Sequence, residues 1–342
     1  MISLTETLGL PSLGLLLLYC ACACQASPTQ PECPEEVPAT ADIAQVHASD
    51  SAEPDVRAGE QADEAGMALA SSTDTVADSE TSASAAQDQA MIRVPSRRFV
   101  MGSSAQQVSD AIALCQQHAA GGADCSSKTF ANEQPEHSVE LDAFYIDKFE
   151  VTTADYAHCV ASGACDIIKL DGCTFLAELQ PAADPNTASR HPVVCVSHDQ
   201  ASRYCEWREA RLPTEAEWEL AATGGDGRAF PWGPDWNAEA CQIGTGVRAA
   251  LREAGSSTAG ASPLGLHDTC GNAAEWVADV FGSKTYGQRS ARNPRGPKHG
   301  SFRIARGGSW RSEPAFARAQ VRSLVKNGTA DATIGFRCAK DT

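Results

Sequence analysis

GLHDTCGNAAEW, residues Gly265–Trp276, gathers hard oxygen ligands onto a loop that bends tightly. Asp268 and Glu275 bring carboxylates and Asn272 an amide oxygen, while Gly265 and Gly271 permit the positive φ that lets carbonyls converge on one point. Such a donor set suits calcium. Taken alone, the loop reads more readily as a polar turn with its acids in solvent, so its neighbours decide the matter. Upstream, RLPTEAEWELAA (Arg211–Ala222) carries a capping box, Thr214 with Glu217 three residues later, and offers Trp218 and Leu220–Ala222 as a buried helix face. FPWG (Phe230–Gly233) closes that unit with a rigid aromatic turn. Downstream, RIARGGSWRS and TIGFRCA read as two core strands separated by a long arm.

Further upstream, HPVVCVSH (His191–His198) is a short apolar strand leading into a helix capped by Ser197, with Tyr204, Cys205 and Trp207 on or near its inner face. His191 and His198 are too far apart locally to form a ligand pair and read as structural. HSVELDAFYIDKFEVT (His137–Thr152) alternates as one half-buried strand, with Thr152 or Thr153 capping the helix that follows. MIRVPSRRFVMGSS (Met91–Ser104) gives strand, turn, strand and a Gly-Ser loop, and opens the folded domain at residue 91. Gln106–His118 has helical spacing, with Val108, Ile112 and Cys115 on one face.

The chain of 342 residues has a net charge of −17 that is unevenly spread. Residues 25–90 hold 14 acids and one base, residues 91–342 hold 29 acids and 26 bases, and Glu6 completes the sum. The acidity therefore belongs to a stretch rich in Ala, Ser, Thr and Pro that lacks Phe, Trp and Tyr and cannot bury enough surface to offset chain entropy: a disordered tether. The balanced remainder has no basic field for nucleic acid. Leu8–Cys24 is a run of 17 uncharged residues, which predicts an export signal in residues 1–24. Ala21-Cys22 and Ala23-Cys24 resemble lipoprotein processing sites, without the usual upstream aliphatic residue and without a basic start. A lipid anchor would be the only membrane contact.

Ten of the 14 cysteines lie in residues 91–342 and none forms a CxxC pair, which favours disulfides in an oxidising, extracytoplasmic compartment over zinc or redox motifs. Proximity along the chain suggests Cys115 with Cys125, Cys159 with Cys165, Cys173 with Cys195, and Cys241 with Cys270.

Together RLPTEAEWELAA, FPWG, GLHDTCGNAAEW, RGGSW and GFRC, in this order, resemble the sulfatase-modifying-factor family, whose best-known member is the formylglycine-generating enzyme. The resemblance covers residues 91–342 and implies one α+β domain of C-type-lectin-like fold with much irregular structure. It implies structural calcium on Asp268, Glu275 and the carbonyls of Gly271 and Ala273. It also implies a disulfide between Cys205 and Cys338; a second family pair maps to Ala222 and Arg322, so both partners are gone together. The family oxidises a substrate cysteine to formylglycine with oxygen and copper(I) held by two thiolates, and those positions fall on Ser312 and Ala317. Soft copper(I) needs sulfur, and no cysteine lies between Cys270 and Cys338, so copper and its chemistry are not expected.

The resulting expectation is an exported binding or assembly module for a protein or peptide partner. The alternative is an authentic sulfatase-modifying oxidase. An iron-dependent sulfoxide synthase lacks its helical histidine domain here, and Ser312 lies in no GxSxG elbow that would make a hydrolase.

Overall fold

Side-chain caps start the helices and long-range ion pairs stop the strands in the computed structural model, which describes residues 90–119, 122–178, 183–244, 250–288 and 292–342. The signal segment and nearly all of the acidic tether lie outside the described residues. The elements in order are β1 (Met91–Val94), β2 (Arg97–Met101), α1 (Ala105–His118), β3 (His137–Leu141), β4 (Phe144–Asp147), α2 (Thr153–Ala161), α3 (His198–Trp207) and α4 (Glu215–Thr223). Then come β5 (Ala274–Val280), a short helical turn Thr285–Gln288, β6 (Phe302–Arg306), β7 (Ser323–Lys326), β8 (Ile334–Gly335) and β9 (Ala339–Asp341). The architecture is mixed α and β with much irregular chain, as the family resemblance implies.

Ser104, Thr152, Ser197 and Thr214 each accept a hydrogen bond from the third helical N–H, and Gln107, Asp155, Gln200 and Glu217 reach back to the cap. Each reciprocal pair thus satisfies two backbone donors at the start of its helix. The strands form three sheets: β1-β4-β9, β2-β3, and β7-β6-β5-β8, in which β8 runs parallel to β5 and the other pairs are antiparallel. β5 is buried along almost its whole length, with Trp276 and Val277 against opposite packing clusters.

The expected single strand His137–Thr152 is two strands in two sheets. Asp142 breaks it: its N–H donates to Asn293 Oδ1 at 3.0 Å, and its carboxylate accepts from Asn293 Nδ2 and Arg292 Nη2, both at 2.7 Å. The expected strand TIGFRCA shrinks to Ile334–Gly335, because Arg337 turns inward to buried carboxylate and carbonyl partners. β6 stops at Arg306, where Gly307 and Gly308 take φ of 89° and 67°.

Five disulfides cross-link the described residues: Cys115–Cys125, Cys159–Cys165, Cys173–Cys195, Cys205–Cys338 and Cys241–Cys270. These are the pairs that proximity and the family resemblance suggest. Their density fits an oxidising compartment. Among the described residues no helix is long and apolar enough to cross a membrane.

Candidate functional site

The Gly265–Trp276 loop is held from within rather than opened to solvent. Gly265 and Gly271 take φ of 86° and 79°, and Asp268 and Asn272 also lie in the left-handed region at 59° and 57°. Gly271 is required by contact as well, since a Cβ there would stand 2.4 Å from the Gln242 carbonyl oxygen. Asn272, expected as an oxygen ligand, serves as a tie: its Oδ1 accepts from Arg252 N–H at 2.9 Å and its Nδ2 donates to Glu150 Oε2 at 2.6 Å.

Asp268 and Glu275 do not face solvent; they are 4% and 0% exposed. Glu275 accepts from Arg337 Nε and Nη2 at 2.6 Å and from Trp218 Nε1 at 2.7 Å. Arg337 spends its remaining donors on the carbonyls of Asp147, Lys148 and His267. A third carboxylate, Glu150, is fully buried and accepts from Ala273 N–H at 2.9 Å. Burial, reinforced by the nearby Asp268 and Glu275 charges, pushes the Glu150 carboxyl well above the usual range. Burial raises Asp268 too, against hydrogen bonding from Gly255 and the pull of Arg337. Asp268 Oδ1 is buried without a hydrogen-bond partner.

Calcium would meet a mixed donor set here. The unpartnered Asp268 Oδ1 and the excess of buried carboxyl groups over Arg337 fit a hard cation, whereas Glu275 is committed to Arg337. No group of three or more His, Cys, Asp or Glu side chains among the described residues could hold a metal ion, so a cation here would lean on backbone carbonyls. Glu150 and Arg337 escape a reading of the sequence; the signal was a charged residue inside each apolar run, DKFEV and IGFRCA.

The arm after Gly308 places the other two candidate positions. Ser312 is half-buried, and its Oγ accepts from Ser309 N–H at 2.9 Å. Ala317 is 0% exposed and packs with Phe230 and the Cys241 and Cys270 side chains. Gly308 lets the arm fold back on itself, since a Cβ there would meet the Ala317 backbone at 2.8 Å. Arg318 locks the arm through Glu133, with Nη1 and Nη2 at 3.0 and 2.7 Å, and Phe316 stacks on Phe130 at 5.7 Å. A cavity of ≈ 610 Å³ adjoins Ser312 and Glu313, with Cys241, Arg252, Trp236 and Glu239 on its walls.

Arg322, where the family resemblance places a second cysteine, is buried and donates to Glu215 from Nε and Nη2 at 2.5 and 3.0 Å. Glu215 also takes Arg306 Nη1 at 2.8 Å, and Arg306 Nη2 reaches Glu219 at 2.5 Å. An ionic knot thus stands beside the helix that bears Ala222. His198 is structural, as expected: buried, with Nε2 3.0 Å from the Val277 carbonyl oxygen and its ring edge-on to Trp276.

The sulfatase-modifying factor enzyme 1-like domain matches residues 76–342. The formylglycine-generating enzyme of Streptomyces coelicolor is 30% identical over 256 residues, covering 61% of this chain and 82% of that enzyme. The mouse protein named inactive C-alpha-formylglycine-generating enzyme 2 is 30% identical over 301 residues, covering 74% of this chain and 86% of its own. Serine/threonine-protein kinase pkn1 of Chlamydia pneumoniae is 34% identical over 221 residues, but the match spans only 35% of the kinase. Among solved structures, PvdO from Pseudomonas aeruginosa superposes with a TM-score of 0.56 at 23% identity, over 74% of this chain and 94% of PvdO, a likeness of fold alone. This chain belongs to the sulfatase-modifying factor enzyme 1-like domain family.

Proposed function

We propose that the domain is an extracytoplasmic binding or assembly module that does not carry out copper-dependent cysteine oxidation. One observation carries this reading: the two positions that would hold copper(I) are Ser312 and Ala317, and Ala317 is sealed at 0% exposure. A serine hydroxyl is a hard donor and a methyl group is none, so neither offers copper(I) the soft sulfur it needs. The ten cysteines of the domain are all consumed in disulfides. Competition for copper(I) against a chromogenic chelator, with the disulfides intact, tests this. The expected result is no uptake; stoichiometric sulfur-held copper would sink the reading.

Two further parts of the proposal concern stability and location. Calcium binds at the Gly265–Trp276 loop through Asp268 and the carbonyls of Gly271 and Ala273; the unpartnered Asp268 Oδ1 supports this. The chain is anchored by lipid at Cys22 or Cys24, as the small residue before each cysteine suggests. Fatty-acid labelling of the whole chain, lost on replacing both cysteines by serine, is the expected outcome, and unlabelled protein would exclude the anchor.

A further inference from the structure

Residues 280–312 carry eight Lys and Arg and not one Asp or Glu, in a domain of 29 acids and 26 bases. Three of the eight are already engaged: Arg306 is buried on Glu215 and Glu219, Arg292 pairs with Asp142, and Arg311 pairs with Glu178. Lys284, Arg295 and Lys298 are exposed, and none of them forms an ion pair among the described residues.

The fold gathers the lysines. A Cβ on Gly282 would stand 3.2 Å from Pro297 Cγ, so the chain at Lys284 lies beside that at Lys298. The carbonyls of Gly300 and Ser301 accept from Asn327 Nδ2 at 2.8 Å and Asn327 N–H at 3.0 Å, which sets the same loop against the end of β7 at Lys326. Lys326 is exposed and likewise forms no ion pair among the described residues. Asp279, the nearest acid along the chain, is buried, accepts from the N–H groups of Gly296 and Glu215, and presents no carboxylate at the surface.

An apolar rim adjoins these cations. β7 is an edge strand whose register puts Lys326 opposite Phe302 and Leu324 opposite Ile304, all on one face of the β6–β7 pair. Ile304 enters the core, whereas Phe302 and Leu324 stay 41% and 38% exposed. Two of the four exposed large apolar side chains among the described residues thus stand beside lysines, a surface suited to an occupant both acidic and apolar.

The chain itself supplies one. Residues Glu60–Glu80 hold six acids and no base, together with Met67, Leu69 and Val76. The ten residues from Glu80 to Ala90 reach about 33 Å when extended, against a radius of gyration of about 18 Å for a domain of this size. Covalent attachment over so short a stretch sets an effective concentration of millimolar order. An anionic lipid surface or a free polyanion would have to displace this segment and would meet the repulsion of the chain's own acids.

We propose that the Glu60–Glu80 segment docks on the face of its own domain that carries Lys284, Lys298 and Lys326, its carboxylates against the three lysines and its apolar residues over Phe302 and Leu324. The contact draws the leading segment back along the domain at low salt and releases it as salt rises. It uses a face that the binding-module reading leaves open, and neither depends on the other.

The test treats the full chain at low salt with a water-soluble carbodiimide, which condenses a touching carboxylate and amine into an amide, and maps the joined peptides by mass spectrometry. Lys284, Lys298 and Lys326 are expected to be joined to acids of Glu60–Glu80, and the exposed Lys128, Lys169 and Lys340 are not. The products should vanish at about 1 M salt, where the screening length is about 3 Å. A mixture of light and isotopically heavy chains should give no mixed products. Acetylation supplies a readout that needs no tether carboxylate. Neutralising all six acids, as Glu60→Gln, Asp63→Asn, Glu64→Gln, Asp74→Asn, Asp78→Asn and Glu80→Gln, should speed modification of the three patch lysines about threefold, the factor for a site covered two-thirds of the time. Lys128, Lys169 and Lys340 should keep their rates. Products spread evenly over the named lysines, or acetylation indifferent to the neutralised acids, would overturn the proposal. Mixed-isotope products would overturn it in favour of a second copy of the chain, and capture of the full chain by phosphatidylglycerol vesicles without these products would overturn it in favour of a lipid surface.

Discussion

Glu275 accepts three hydrogen bonds from the buried groups of Trp218 and Arg337, and neither it nor Arg337 has any exposure. Removing one partner of a buried pair strands the other's charge, so Glu275→Ala should cost about 3–5 kcal/mol in urea unfolding. A loss below ~1 kcal/mol, the range of surface pairs, would show that the pair is open to water. The proposed calcium site gives Asp268 a role that Glu275 does not share. Asp268→Ala should abolish the rise in melting temperature on adding calcium to chelated protein, a rise worth about 2.7 kcal/mol at a hundredfold excess over Kd; identical melting with and without chelator rejects the ion. His198 supplies a pH test. Burial lowers its pKa from 6.5, with Arg303 adding to the effect, so the folded protein binds fewer protons than the unfolded chain. Its contribution is complete above about pH 6.5 and is lost as pH falls through the window between that value and the lowered one. Partly buried His191 has the same sign. His198→Gln should flatten the slope of stability against pH below 6.5, and an unchanged slope assigns it elsewhere.

At the scale of elements, local signals were legible and distant ones were not. Thr214 with Glu217 announces α4 because the cap and its reciprocal acceptor are three residues apart, and Ser197 announces α3 for the same reason. The break at Asp142 could not be read, because its partner Asn293 is 151 residues away. The acids of the central loop were legible as ligand types but not as an ion pair, since the residue that claims Glu275 lies 62 positions on. α1 was visible from its spacing, but its packing partner was not: with Cys115 and Phe130 it covers the Pro314–Ala317 turn. That coupling predicts a remote effect. Replacing Cys115 and Cys125 by alanine should cost about 2–4 kcal/mol and raise hydrogen exchange both in α1 and in the Phe316–Ala317 backbone. Faster exchange confined to α1 would show that the excursion does not clamp the arm.

For the whole molecule, family and fold were legible because five motifs recur in order, each tied to a structural duty: a capped helix, an aromatic turn, a buried loop, a glycine turn and a cross-linked end. Function separates from them, because scaffold residues persist where reactive residues do not. The Cys205–Cys338 bridge and the Glu275–Arg337 pair hold the scaffold, while on the proposed reading Ser312 and Ala317 stand where the family resemblance places the reactive thiolates. The most direct measurement incubates the purified chain with copper(I), oxygen and a sulfatase-type cysteine peptide and follows the peptide by mass spectrometry. Unmodified cysteine is expected at every time point; a formylglycine aldehyde formed in proportion to added protein would contradict the proposed function and return the protein to the oxidases.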